Sequence, residues 1–104
     1  MIENRKSTRN LCADLLKIRW KDAEGNQVKD FAVLEDISNG GACLKLEQPV
    51  PKDAEVRIIY PRGQFRGTVQ YCVPDMTGYR IGVKFAPGNK WSKSQFQPAH
   101  LLRL

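Results

Sequence analysis

Residues 64–85 read QFRGTVQYCVPDMTGYRIGVKF. Phe65, Gly67, Val69, Tyr71 and Val73 alternate with Gln64, Arg66, Thr68, Gln70 and Cys72. Past a break at Pro74 to Gly78, Tyr79, Ile81, Val83 and Phe85 alternate with Arg80, Gly82 and Lys84. A period of two lines one set of side chains along one face of a strand, so the stretch predicts two half-buried strands joined by a turn.

Upstream the same period recurs. Leu16, Ile18 and Trp20 alternate with Lys17, Arg19 and Lys21; Ala42, Leu44 and Leu46 with Cys43, Lys45 and Glu47; Val56, Ile58 and Tyr60 with Glu55, Arg57 and Ile59. A less regular apolar stretch, Val28 to Leu34, completes the set. The intervening breaks at 22–26, 38–41, 49–53 and 61–63 are rich in Asp, Asn, Ser, Gly and Pro, which is turn chemistry. Six short antiparallel strands with one apolar face each bury those faces best by curling into a barrel, which also removes exposed edge. The expected architecture is therefore all-β, a six-stranded antiparallel barrel over residues 11–86, with a basic strap at 1–10 before it and a tail at 87–104 after it. In the tail, Gln97 followed by Pro98 supplies a helix start, and a short helix through Ala99, Leu101 and Leu102 is expected there.

Composition narrows the function. A chain of 104 residues, 41% apolar and 27% charged, fits one globular domain. Met1 to Asn10 is polar and basic, and no run of about 18 apolar residues occurs, so a soluble, cytoplasmic protein with no membrane insertion is expected. Cys12, Cys43 and Cys72 form no close pair of the kind zinc sites favour, and their odd number fits no disulfide framework; they read as buried thiols, and no cofactor or metal is expected. Catalysis is not expected: the single histidine, His100, lies in the tail as a surface or helix-end residue, and Ser38 lacks a nucleophile-elbow context. Lys and Arg outnumber Asp and Glu by 17 to 11, and the net charge of +6 favours phosphates, nucleic acid or anionic surfaces without choosing among them.

Two short motifs carry chemistry. Asp36, Ile37, Ser38, Asn39, Gly40 and Gly41 lie between two predicted strands and offer a carboxylate, a hydroxyl and exposed backbone together. An ionised Asp36 can accept from the N–H donors of a guanine edge, Ser38 can bond a phosphate or base edge, and Gly40 and Gly41 permit close backbone approach. The same residues also build a turn for purely local reasons. Upstream, Arg5 and Arg9 stand four residues apart, about 13 Å when extended, so that one fork can meet a guanine O6/N7 edge while the other meets phosphate or stacks on a base. That spacing is weak alone, since Arg62 and Arg66 repeat it and about 0.6 such pairs are expected by chance. The Asp36, Ser38, Gly41 pattern is far rarer, at about 0.02 chance matches.

Taken together, Arg5 and Arg9 followed by Asp36, Ser38 and Gly41, with the later stretch from Tyr79 to Phe85, resemble the signatures and last barrel strand of PilZ domains. The resemblance spans roughly residues 5 to 86 and implies a six-stranded split barrel that binds the bacterial second messenger cyclic di-GMP. Arg5 and Arg9 would clamp guanine and phosphate groups, while Asp36, Ser38, Gly40 and Gly41 hold the other side of the ligand. The region after Phe85 is short and contains Pro87, Gly88 and Pro98, so it departs from the family's longer C-terminal helix. Ligand-induced ordering of residues 1–10 is the expected signal, passed to an effector protein whose identity the sequence does not carry.

Two other readings compete. The same barrel can act as a protein-interaction module without ligand. A basic barrel can also bind single-stranded nucleic acid through exposed aromatics, with Trp20, Tyr60, Phe65 or Trp91 as candidates. Alternating aromatics are more often core, and Trp91 reads first as a cover for an open barrel end, so nucleic acid is not the expected partner.

Overall fold

The computed structural model describes residues 10–89. Arg5, Arg9, Trp91, His100 and the expected C-terminal helix lie outside the described residues. Within them the chain is all strand: β1 Asn10–Lys21, β2 Gln27–Ser38, β3 Gly41–Leu46, β4 Glu55–Tyr60, β5 Gly63–Asp75 and β6 Gly78–Phe85. They form a closed antiparallel barrel in the order β1-β2-β3-β6-β5-β4, sealed where Lys17–Trp20 of β1 pairs with Val56–Ile59 of β4. The expected six-stranded barrel is the observed one.

The alternation seen in sequence becomes the inside and outside of that barrel. Ile18, Leu34, Leu44, Ile58, Val69 and Ile81, one from each strand, are all fully buried. Each such side chain stabilises the fold by about 1.5–3 kcal/mol through the apolar surface it removes from water. Phe65 stacks on Phe85 at 4.9 Å between ring centroids and meets Tyr60 at a tilt at the same distance, filling one end of the core. Trp20 is buried as well, so three of the aromatics that sequence offered for base stacking are spent on packing. The β1–β2 turn is held by the Asp22 carboxylate, which accepts 2.9 Å bonds from the N–H groups of Glu24 and Asn26, and Gly25 supplies the left-handed residue at φ 83.

Three irregularities interrupt the register, and those in β2 and β5 shift the in-and-out phase and correct the sequence reading. In β5 the pairing slips between Val69 and Tyr71, so Gln70 is the extra residue. Strict alternation put Tyr71 and Val73 on the apolar face with Val69; past the bulge they point outward, 41% and 44% exposed, and Cys72 packs against the core instead. In β1, past a slip between Leu11 and Asp14, the phase stays that of Leu16, Ile18 and Trp20, and it places Asp14 inward at 7% exposed and Leu15 outward at 65%. That inverted patterning is why the strand reads from Leu16 in sequence although it begins at Asn10. In β2 the slip between Leu34 and Asp36 turns Ile37 inward at 1% exposed, where alternation from Leu34 would point it outward, and the strand runs to Ser38, beyond the Leu34 at which its apolar run stops.

Among the described residues no helix is long and apolar enough to cross a membrane, and no cluster of His, Cys, Asp and Glu could hold a metal ion. The three cysteines are free thiols; Cys12 and Cys43 are buried and Cys72 half-buried.

Candidate functional site

The segment Asp36–Gly41 is mostly strand rather than loop. Asp36 and Ser38 lie in the last turn-ward residues of β2, Gly41 opens β3, and only Asn39 and Gly40 form the connection. Ser38 pairs directly with Gly41 and Asp36 with Cys43, so the motif occupies two rungs of one hairpin and its side chains share the outer face. The Ser38 hydroxyl donates to the Gly41 carbonyl at 3.4 Å. Asp36 is half-buried.

The two glycines differ. A Cβ on Gly41 would stand 2.4 Å from the carbonyl oxygen of Val83, because β6 runs hard against β3 at this point. Glycine is required there by the neighbouring strand. At Gly40 a Cβ would meet nothing within 4 Å among the described residues, and its φ is ordinary; its carbonyl accepts from the Phe85 N–H at 2.9 Å. The space beside Gly40 is therefore open, and the hairpin tip is tied to the end of β6.

The rung through Ser38 and Gly41 continues to Lys84 on β6 and Thr68 on β5. Lys84 is exposed beside Gly41, a cation on the same outer face that sequence reasoning did not single out. Its outward phase was legible in the Tyr79–Phe85 alternation, but its neighbour across the sheet was not. The other end of the motif faces β1: Leu11 pairs with Asp36 and Asn10 with Ile37. The chain thus enters the barrel beside Asp36 and Ser38.

One rung below, the outer face carries a polar network. Arg80 donates from Nε to Glu35 Oε1 at 2.8 Å, and its Nη2 lies 3.2 Å from Asp75 Oδ2, which also faces Lys45 Nζ at 3.5 Å. The hydrogen bond to Glu35, then the charges of Glu35 and Asp75, push the Arg80 guanidinium's pKa up. Asp75 is held below the usual carboxylate range by the Met76 N–H and by Lys45 and Arg80. Glu35 is the residue next to Asp36 at the β2 bulge, so Arg80 braces the strand where its register slips. The Tyr71 ring lies over Gly82, where a Cβ would come within 2.1 Å of it, and its hydroxyl donates to Cys43 Sγ at 3.7 Å. Burial pushes the Cys43 thiol up, partly opposed by that bond. Burial, then Asp14 and Asp36, push Cys12 up to about 12, so both thiols stay protonated and unreactive near neutrality.

A family model described as the PilZ domain matches residues 3–97, nearly the whole chain. The chain belongs to the PilZ domain family. Solved PilZ-type structures share its fold. YcgR from Escherichia coli in complex with c-di-GMP is 17% identical with a TM-score of 0.59, over 82% of this chain and 39% of that one. MotI/DgrA from Bacillus subtilis, an inhibitor of motility, is 14% identical with a TM-score of 0.57, over 90% of this chain and 47% of that one. The MrkH–c-di-GMP complex from K. pneumonia is 18% identical with a TM-score of 0.54, over 83% of this chain and 46% of that one. This PilZ chain therefore spans less than half the length of those three proteins. No curated protein matches its sequence.

Proposed function

We propose that this PilZ domain is a non-enzymatic receptor for cyclic di-GMP, bound on the outer barrel face between the N-terminal arginines and the β2–β3 hairpin. The observation that carries the reading is the register of β1 on β2. Asn10 pairs with Ile37 and Leu11 with Asp36. Arg9 is one residue, about 3.8 Å of chain, from Asn10, and Arg5 is within about 18 Å. Both arginines can thus reach Asp36, Ser38 and Gly41 without crossing the barrel. YcgR and MrkH, which share the fold, were solved with c-di-GMP.

In this reading Arg5 and Arg9 supply guanidinium forks to guanine edges and phosphates, Asp36 accepts from a guanine N–H edge, and Ser38 bonds phosphate or base. Gly40 leaves open space for the ligand to approach the backbone, and Lys84 adds a cation to the rim. Binding changes the surface that residues 1–10 present, and that change is the output to an effector protein in the cytoplasm.

Single substitutions test the site. Arg9→Ala or Asp36→Ala should each weaken cyclic di-GMP binding by about 2–4 kcal/mol, the range of charge-assisted contacts. Arg62→Ala, on the β4–β5 connection, should leave it unchanged. Unaltered affinity in the first two would remove the site assignment. Hydrogen exchange across Ile2 to Leu11 should slow on saturation, and no change there would remove the signalling step.

A further inference from the structure

The barrel wall opposite the β3–β6 face carries a second feature, visible only in the pairing register. Lys29 on β2 pairs with Arg19 on β1, Arg19 pairs with Arg57 on β4, and Arg57 pairs with Arg66 on β5. Four cations therefore stand side by side on one rung, flanked along their strands by inward residues such as Ile18, Val56 and Phe65. Like charges directly opposite each other on neighbouring strands destabilise a sheet, and here three such pairs follow in succession. Among the described residues none of the four has an ion-pair partner. Asp30 nearby accepts a 2.7 Å bond from Gln48, and Glu55, two residues from Arg57, makes no ion pair with the row.

Arg19 adds an independent sign. Among the described residues its Nε is buried without an acceptor, and its Nη2 has only a 3.5 Å contact with Gln64. A buried guanidinium N–H left open costs stability unless something binds it. Shallow grooves of about 500 and 290 Å³ flank Arg19, the larger bordered by Lys17, Lys29, Phe31 and Ile59. Phe31 is 55% exposed, next to Lys29 on the same face and opposite Lys17.

We infer that this rung is a binding site for single-stranded nucleic acid, with the phosphate backbone laid across β2, β1, β4 and β5 and a base stacked on Phe31. The geometry selects a flexible polyanion. The row covers three of the six strand-to-strand steps of the closed barrel, about 14 Å of arc at roughly 4.8 Å per step. A flat bilayer or a rigid duplex touches only the crest of such a convex wall, whereas a single strand follows its curve. Arginine forks match phosphate in two-point contact, and an exposed ring beside them supplies the sequence-tolerant stacking that single strands use. The row shares no residue with the proposed cyclic di-GMP site, so the two readings stand or fall separately.

The test is fluorescence anisotropy of the whole chain with a labelled oligothymidylate of about twenty nucleotides over a range of salt. Engagement of three or four phosphates predicts a slope of log affinity against log salt of about −2 to −3. Arg57→Gln with Arg66→Gln should weaken binding about tenfold or more and make the slope shallower by about 1.4, at a thermal midpoint no lower than before. Phe31→Ala should lower affinity and leave the slope unchanged. Lys52→Gln with Arg62→Gln removes equal charge away from the row and should have a much smaller effect. Absence of oligonucleotide binding at low salt, equal loss in the two double variants, or row-dependent binding of phosphatidylserine vesicles or polyglutamate in place of the oligonucleotide would each overturn the inference.

Discussion

Replacing Gly41 by alanine joins the motif to the packing of the barrel and gives a sharp test of both. The added Cβ would sit 2.4 Å from the Val83 carbonyl oxygen, where a carbon–oxygen contact normally needs about 3.3 Å or more. Relief needs about 1 Å of movement between β3 and β6, and both contacting groups belong to paired backbone, so no side chain can swing aside. Overpacking of this kind costs about 1–3 kcal/mol, and the rigid partner argues for about 3. Alanine also restricts the unfolded chain, returning about 0.4–1 kcal/mol. The net loss of about 2 kcal/mol lowers the thermal midpoint of a domain this size by about 8–16 °C. Gly40→Ala is the matched control: its Cβ meets nothing within 4 Å among the described residues and its φ is ordinary, so only the unfolded-state gain remains and the midpoint should rise by a few degrees. Scanning calorimetry or urea denaturation of the two variants reads the contrast. A Gly41→Ala protein within about 0.5 kcal/mol of the parent, or a Gly40→Ala protein equally destabilised, would mean that the Val83 carbonyl does not set the requirement for glycine at 41.

Other outcomes follow from the same contacts. Tyr71→Ala uncovers Cys43 on the outer face, so labelling of that thiol at neutral pH should accelerate severalfold over the parent; an unchanged rate would mean the ring does not shield it. Cys12 holds its proton up to about 12 in the fold against an ordinary 9.0, so its contribution to stability is whole below pH 9 and is lost as pH rises toward 12. The stability difference between the parent and Cys12→Ala, from urea denaturation at successive pH values, should therefore shrink above pH 9; a constant difference would contradict the assignment.

The barrel was legible because its inward residues keep strict alternation over most of β4 and β6, where Val56, Ile58, Ile81 and Val83 are all core. Legibility failed where an extra residue changed the phase. Nothing in the alternation of Val69, Tyr71 and Val73 announces the Gln70 bulge, since each side of it reads as a good strand. Asp14 inward and Leu15 outward invert the rule that carries such readings, so the first half of β1 was invisible. The motif Asp36, Ser38, Gly41 was legible by composition, but the need for glycine at 41 comes from Val83, some forty residues away in sequence, and no local signal encodes it. The row of Lys29, Arg19, Arg57 and Arg66 is illegible for the same reason: four scattered cations become neighbours only through three registers.

Calorimetric titration of the whole chain with cyclic di-GMP, with linear and mononucleotide guanine compounds as competitors, tests the receptor reading most directly. Saturable binding at a fixed stoichiometry is expected, displaced poorly by the linear and mononucleotide forms and reduced about thirtyfold or more by Arg9→Ala or Asp36→Ala. No heat of binding at high micromolar ligand, or equal binding by the parent and both variants, would contradict it.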